Sequence, residues 1–111
     1  MLFIAIILTN TKPKPSDEEK DAALYSAVYK NNIRLAKLLL NQGADPNRAR
    51  TDTGATPLYW AAYHKNYEMV ELLLSKGADP NKARTDTGAT PLYWASYNNN
   101  IEMVEVLVIN G

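Results

Sequence analysis

Residues 49–61 read ARTDTGATPLYWA, and residues 83–95 repeat these thirteen letters without a change. Aligned on this stretch, residues 43–76 and 77–110 agree at 25 of 34 positions. A weaker copy upstream, LYSAVYKNNIRLAKLLLNQGADPN from Leu24, aligns with LYWAAYHKNYEMVELLLSKGADPN one period later. Three units are about the minimum at which stacking buries enough apolar surface to hold an array together. The sequence therefore predicts a solenoid of three 34-residue repeats.

Each unit contains the signals of two short helices. Pro57 and Pro91 follow threonine and mark first helices, because proline at the first helical position sacrifices only an N–H that would be unpaired anyway. Apolar residues at three- and four-residue spacings then predict a second helix, which ends at Gly43 or Gly77 in a left-handed C-cap. The chain between units is rich in Asp, Pro, Asn, Thr and Gly, a composition typical of extended turns. The predicted fold class is all-α.

With TPLYWAA, VELLLSKGADPN and their copies, the chain resembles the ankyrin repeat family from about Leu24 to Gly111. The resemblance implies an ankyrin-type helix-turn-helix solenoid with projecting β-hairpin-like turns. It also implies a concave groove that binds other proteins.

The chain departs from the family pattern at two positions of the unit. The family's usual histidine after Thr-Pro-Leu is replaced by tyrosine, at Tyr59 and Tyr93. The hydrogen bond from that histidine to the threonine hydroxyl is therefore not predicted for this chain. The glycine between the two helices is replaced by Asn31, Lys65 and Asn99. Asparagine tolerates a left-handed backbone, whereas Lys65 carries a cost of about 1 kcal/mol if it adopts one. The unit is also one residue longer than the common ankyrin repeat, which predicts longer projecting turns.

The two ends of the chain differ from the middle. Residues 1–16 form an apolar segment and a Pro/Lys linker, and residues 17–111 form the repeat domain. The apolar run is too short to span a bilayer. It is interpreted as a signal peptide, a tail, or a cover over the first unit. The units are predicted at about 17–50, 51–84 and 85–111, the first resembling a cap because Ala22-Ala23 replaces Thr-Pro after an acidic run.

The last unit ends in more apolar side chains than the unit before it, with Val106, Val108 and Ile109 near its end. A capping repeat has a polar outer face, so this end does not resemble a cap. Either the array is cut short, or a dimer forms through the C-terminal repeat. We expect a monomer, with the dimer as the alternative.

Composition argues against several classes of function. Twelve basic residues balance twelve acidic ones, so no net field favours nucleic acid, and no stable membrane span is predicted. The chain has no cysteine and one histidine, and no phosphate loop or paired nucleophile and base. The turn aspartates lack the glutamate of an EF-hand. We therefore predict no enzyme, cofactor or metal. The cytoplasm is favoured over secretion, with the location undecided.

The expected function is a non-catalytic protein–protein interaction module. Trp60 and Trp94 are interpreted as packing between first helices, with ligand stacking as the alternative. The arginines in the turns are expected to be solvated. The alternative hypothesis is that they bind an acidic partner. The alternative function is a structural spacer of a longer ankyrin array with no partner of its own. The predicted partner-binding residues are Arg50, Thr51, Thr53, Tyr63, His64, Arg84, Thr85, Thr87, Tyr97 and Asn98.

Overall fold

The computed structural model describes residues 13–111, so the predicted apolar segment lies outside the described residues. The described chain forms six helices and contains no strand. The all-α prediction is confirmed, and the β-hairpin-like character of the turns is not. The helices are α1 (Asp17–Tyr29), α2 (Ile33–Asn41), α3 (Pro57–Tyr63), α4 (Tyr67–Ser75), α5 (Pro91–Tyr97) and α6 (Ile101–Asn110).

The helices stack in two layers. The first helices α1, α3 and α5 contact one another in chain order, and the second helices α2, α4 and α6 do the same. Each first helix also contacts the second helix of its own unit. Apolar side chains fill the space between the layers, so the core runs continuously through all three units. Its fully buried members include Leu24, Val28, Leu58, Met69, Leu73 and Met103.

Threonine and serine side chains begin the first helices. Thr56 has an extended backbone, and its side chain accepts a hydrogen bond from the backbone N–H of Tyr59. Thr90 caps α5 in the same way. At α1 the cap is Ser16, which forms a reciprocal capping box with Glu19. The carboxylate of Glu19, in the acidic run that begins α1, thus caps the N-terminus of its own helix.

The junctions between paired helices have a left-handed backbone, which is the condition under which the sequence predicts a cost at Lys65. The φ angles are 55° at Asn31, 62° at Lys65 and 54° at Asn99. Gly43 and Gly77, which follow the second helices, have φ of 94° and 93°. The glycines adopt this conformation without strain, whereas Lys65 adopts it at a cost in free energy.

Backbone hydrogen bonds close each projecting turn and join it to the next. The N–H of Arg50 donates to the Ala55 carbonyl at 3.0 Å, and the N–H of Gly54 donates to the Arg50 carbonyl at 2.8 Å. Thr85 of the next turn donates its N–H to the Thr53 carbonyl at 2.9 Å. A Cβ on Gly54 would lie 2.7 Å from the Thr85 nitrogen, so the close approach of the two turns requires glycine.

A buried carboxylate anchors the first turn to α1. Asp21 accepts a hydrogen bond from the backbone N–H of Asp45 at 2.7 Å and lies 3.1 Å from the Arg48 guanidinium. The equivalent positions in the other units hold Ala55 and Ala89. This polar anchor is therefore specific to the first unit.

Candidate functional site

Tyrosine and tryptophan side chains link neighbouring first helices. The indole N–H of Trp60 donates to the hydroxyl of Tyr25 on α1. One unit later, the indole N–H of Trp94 donates to the hydroxyl of Tyr59 on α3 at 2.7 Å. Tyr59 therefore uses its hydroxyl to hold the next unit. The prediction that the tryptophans pack between first helices is confirmed.

A second set of tyrosines, at the last turn of the first helices, extends this row of rings. Tyr29 contacts Trp60 edge to face with ring centres 5.2 Å apart, and Tyr63 contacts Trp94 in the same manner at 4.7 Å. The two tryptophans are partly buried, whereas the tyrosines at the last turn are exposed. Tyr63 is 40% exposed, and its counterpart Tyr97 is 71% exposed. These rings give the stack an apolar, hydroxyl-bearing surface typical of protein interfaces.

Both projecting turns carry a bidentate ion pair. Arg50 donates through Nε and Nη2 to the Asp52 carboxylate at 2.9 and 2.6 Å, and Arg84 donates to Asp86 at 2.9 and 2.5 Å. The hydrogen bonds from Arg50 lower the pKa of Asp52 from 3.8 to about 2. Those from Arg84 likewise lower the pKa of Asp86. Both turns thus carry a compensated charge at neutral pH.

The two arginines have different surroundings. Arg50 is solvated, with 53% of its side chain exposed, whereas Arg84 is only 17% exposed. The Arg84 guanidinium carbon lies 5.2 Å from the ring centre of Tyr59 and 5.9 Å from that of Trp60. This is cation–π distance. Arg84 therefore reaches from its own turn across the first helix of the preceding unit.

Two hollows of about 480 and 530 Å³ lie between the turns and the first helices. We call them the first and second hollow. Their walls include Trp60 and Arg84 in common. The first hollow is lined by Tyr25, Ser26, Tyr29, Arg50, Thr53, Trp60 and Arg84. The second is lined by Tyr59, Trp60, Tyr63, Arg84, Thr87, Gly88, Ala89, Tyr93 and Trp94.

Six of the seven wall positions of the first hollow recur 34 residues later in the second, which has three further wall residues, Gly88, Ala89 and Tyr93. Tyrosine, arginine, threonine and tryptophan recur at matching places in both walls. Among these matching positions, only one differs in residue type: it is Ser26 in the first hollow and Trp60 in the second. The repeat of the sequence thus produces a repeat of the cavity.

Half of the predicted binding residues line these hollows, namely Arg50, Thr53, Tyr63, Arg84 and Thr87. His64 and Tyr97 lie beside them, His64 stacked on Trp60 at 5.8 Å and Tyr97 edge to face with Trp94 at 5.6 Å.

The other three predicted residues lie elsewhere. Thr51 lines a separate cavity with Glu18, Thr85 joins two turns, and Asn98 is the C-cap of α5. Sequence reasoning missed Tyr25 and Tyr29 as wall residues, although their 34-residue spacing from Tyr59 and Tyr63 was visible.

A family model described as ankyrin repeats (3 copies) matches residues 2–84 and 24–111. The chain belongs to the ankyrin repeat family. Ankyrin repeats are generally protein–protein interaction modules, and the family is typically non-enzymatic. No curated protein matches the chain.

Two further findings concern the ankyrin stack itself. Within residues 13–111, no helix is long and apolar enough to cross a membrane. The same residues contain no group of three or more His, Asp or Glu side chains that could hold a metal ion.

Proposed function

We propose that this ankyrin protein is a non-catalytic module that binds a partner protein through its concave groove. The binding unit is residues 17–111, and the groove consists of the two hollows with the tips of the adjacent turns. The observation that carries the proposal is the recurrence of one aromatic cavity at two successive unit boundaries. A repeated cavity suits a ligand that runs along the stack, as an extended partner segment does.

The surroundings of the hollows support this function. Their rims carry tyrosines with exposed rings, including Tyr29 at 51% and Tyr63 at 40%. Tyrosine combines apolar area with a hydroxyl and suits protein interfaces. The turns supply Thr53 and Thr87, and the closing bond from Arg50 to Ala55 supports a hairpin-like form for these tips.

Affinity capture with matched variants tests the proposal. The bait is the whole chain, beside a groove variant carrying Tyr63→Ala and Tyr97→Ala. The control carries Glu71→Ala and Glu105→Ala, two exposed positions on the second helices. Circular dichroism checks that all three baits remain helical. A protein retained by the bait and the control but lost from the groove variant supports the module; equal retention by all three places binding elsewhere.

A structural spacer is the second candidate, and the last unit favours it. Leu92 and Tyr93 are 36% and 51% exposed, whereas the equivalent Leu58 and Tyr59 are 0% and 3% exposed. A following ankyrin unit would cover these side chains. A spacer with no partner of its own predicts that none of the three baits retains a specific protein, and that a fourth unit fused after Gly111 raises the melting temperature.

A further inference from the structure

The spacing of the hollows restricts the conformation of a ligand that fills both. The hollows repeat with the first helices, and packed helices lie about 8–10 Å apart. A polyproline II helix advances about 9 Å in each three-residue turn, which returns every third side chain to the same face. A β-strand returns to the same face after about 7 Å and again after about 13 Å. The polyproline II repeat therefore matches the hollows, and the strand repeat does not.

The chemistry of the walls matches the same conformation. Each hollow has tryptophan and tyrosine rings beside an arginine, the aromatic lining against which prolines of a polyproline II segment dock. Tyr25, which is partly exposed in the first hollow, accepts a hydrogen bond from the Trp60 indole and keeps its own O–H to donate. The carbonyls of a polyproline II chain make no internal hydrogen bonds and are free to accept.

An α-helical ligand fits the walls less well. Its same face returns after seven residues, or about 10.5 Å, which is close to the spacing of the hollows. However, its carbonyls are bonded within the helix. The Tyr25 hydroxyl of the first hollow would then lose contact with water and gain no acceptor from the ligand, which costs free energy.

The charges of the groove favour an uncharged ligand. The guanidinium of Arg50 is held by Asp52, and that of Arg84 by Asp86, each through two hydrogen bonds. An acidic ligand must compete with a carboxylate already in place. A proline-rich segment needs no counter-charge.

We propose that the groove binds a proline-rich segment of the partner protein in the polyproline II conformation, with prolines three residues apart in the first and second hollow. The proposal rests on the proposed function and names the chemistry of its partner. Trp60 and Arg84 form the ridge between the two proline sites.

The spacing of the prolines provides the first test. The whole chain is screened against four displayed peptide libraries: prolines fixed three apart, prolines fixed four apart, acidic peptides without proline, and amphipathic helices. The bound peptides are then synthesised and titrated by tryptophan fluorescence. We expect enrichment from the first library, and a loss of affinity of about tenfold when one residue is inserted between the two prolines.

Each other outcome has a definite meaning. Peptides enriched from the acidic, helical or four-apart library, with none from the first, overturn this proposal and leave the binding function standing. No enrichment from any library contradicts both. Enrichment from the first library without sensitivity to the inserted residue overturns the two-site arrangement.

Matched variants then locate the peptide. Tyr29→Ala removes a wall of the first hollow, and Tyr63→Ala removes the equivalent wall of the second. Each is expected to weaken the selected peptide by about tenfold, while Glu71→Ala on α4 leaves the affinity unchanged. If neither tyrosine variant weakens binding, the peptide does not occupy the hollows. The inserted-residue comparison uses the unmodified protein and decides the question even if a variant unfolds.

Discussion

The helices α3 and α5 share the letters PLYWA but not the environment of those letters. Leu58 is fully buried on α3, and Leu92 is 36% exposed on α5. Tyr59 is 3% exposed, and Tyr93 is 51% exposed. The cause is position, since α3 packs against α1 and α5, whereas α5 packs against only α3 among the first helices described. In this stack the burial of a side chain depends on the neighbouring units. Identical sequences therefore contribute unequally to the free energy of unfolding.

The largest effect expected from this comparison is at the leucines. Leu58→Ala leaves a cavity in the core and should lower the free energy of unfolding by about 3 kcal/mol. Leu92→Ala removes a partly exposed side chain and should cost about 1 kcal/mol. Urea unfolding of the two variants measures the difference. Equal losses would show that local sequence, and not the stack, determines the contribution of this position.

The next effect concerns the tyrosine hydroxyls. Tyr59→Phe removes the acceptor of the Trp94 indole N–H, which should cost about 1–2 kcal/mol. Tyr93→Phe changes a half-exposed ring at the end of the described stack and should alter stability by less than about 0.5 kcal/mol. Thermal melts of the pair provide the measurement. A Tyr59→Phe variant as stable as the Tyr93→Phe variant would contradict the role of this bond in joining the units.

The junctions allow a change in the stabilising direction. Lys65 has φ of 62°, whereas asparagine occupies this left-handed position in the other units as Asn31 and Asn99. Lys65→Asn should raise the free energy of unfolding by about 0.5–1 kcal/mol, because asparagine tolerates that conformation better. The melting temperature should rise by about 2–8 °C. The Asn99→Lys variant is the reciprocal control and should lose a similar amount.

The smallest effect is on the ion pairs of the turns and is measured as a titration. The pKa of Asp52 is lowered from 3.8 to about 2 by Arg50. The stabilising contribution of this pair is therefore fully present above about pH 4 and disappears as the pH falls toward 2. In Arg50→Ala, the pKa of Asp52 should return toward 3.8, as followed by NMR of the carboxyl carbon. Arg84→Ala should likewise raise the pKa of Asp86. An unchanged midpoint for Asp52 would show that the pair is absent in solution.

Much of the fold was predictable because its signals are local. Thr56-Pro57 and Thr90-Pro91 start helices, and the replacement of glycine by Asn31, Lys65 and Asn99 marks the junctions that the structure shows to be left-handed. The capping box of Ser16 was also visible as serine followed three residues later by Glu19, but the prediction used only the acidic charge.

The candidate site was harder to predict because its contacts join residues 35 positions apart. The bond from Trp94 to Tyr59 depends on how closely two helices pack, and the repeat pattern does not specify that distance. The unequal surroundings of Arg50 and Arg84 are also invisible in the sequence, because both lie in the same thirteen letters. The two arginines differ only in the neighbouring units that surround them in the stack.

The indole-to-hydroxyl bond also has a consequence for how the chain finds its native pairing. Tyr25 offers the same acceptor to Trp60 and to Trp94, because both indoles lie in identical segments. A third unit docked on the first, with the second looped out, would satisfy that acceptor equally well. The native order is more stable because it alone buries Leu58 and Tyr59 between the first and third units. The identical segments therefore allow an alternative pairing, displaced by one repeat, that would leave Leu58 and Tyr59 without their native burial.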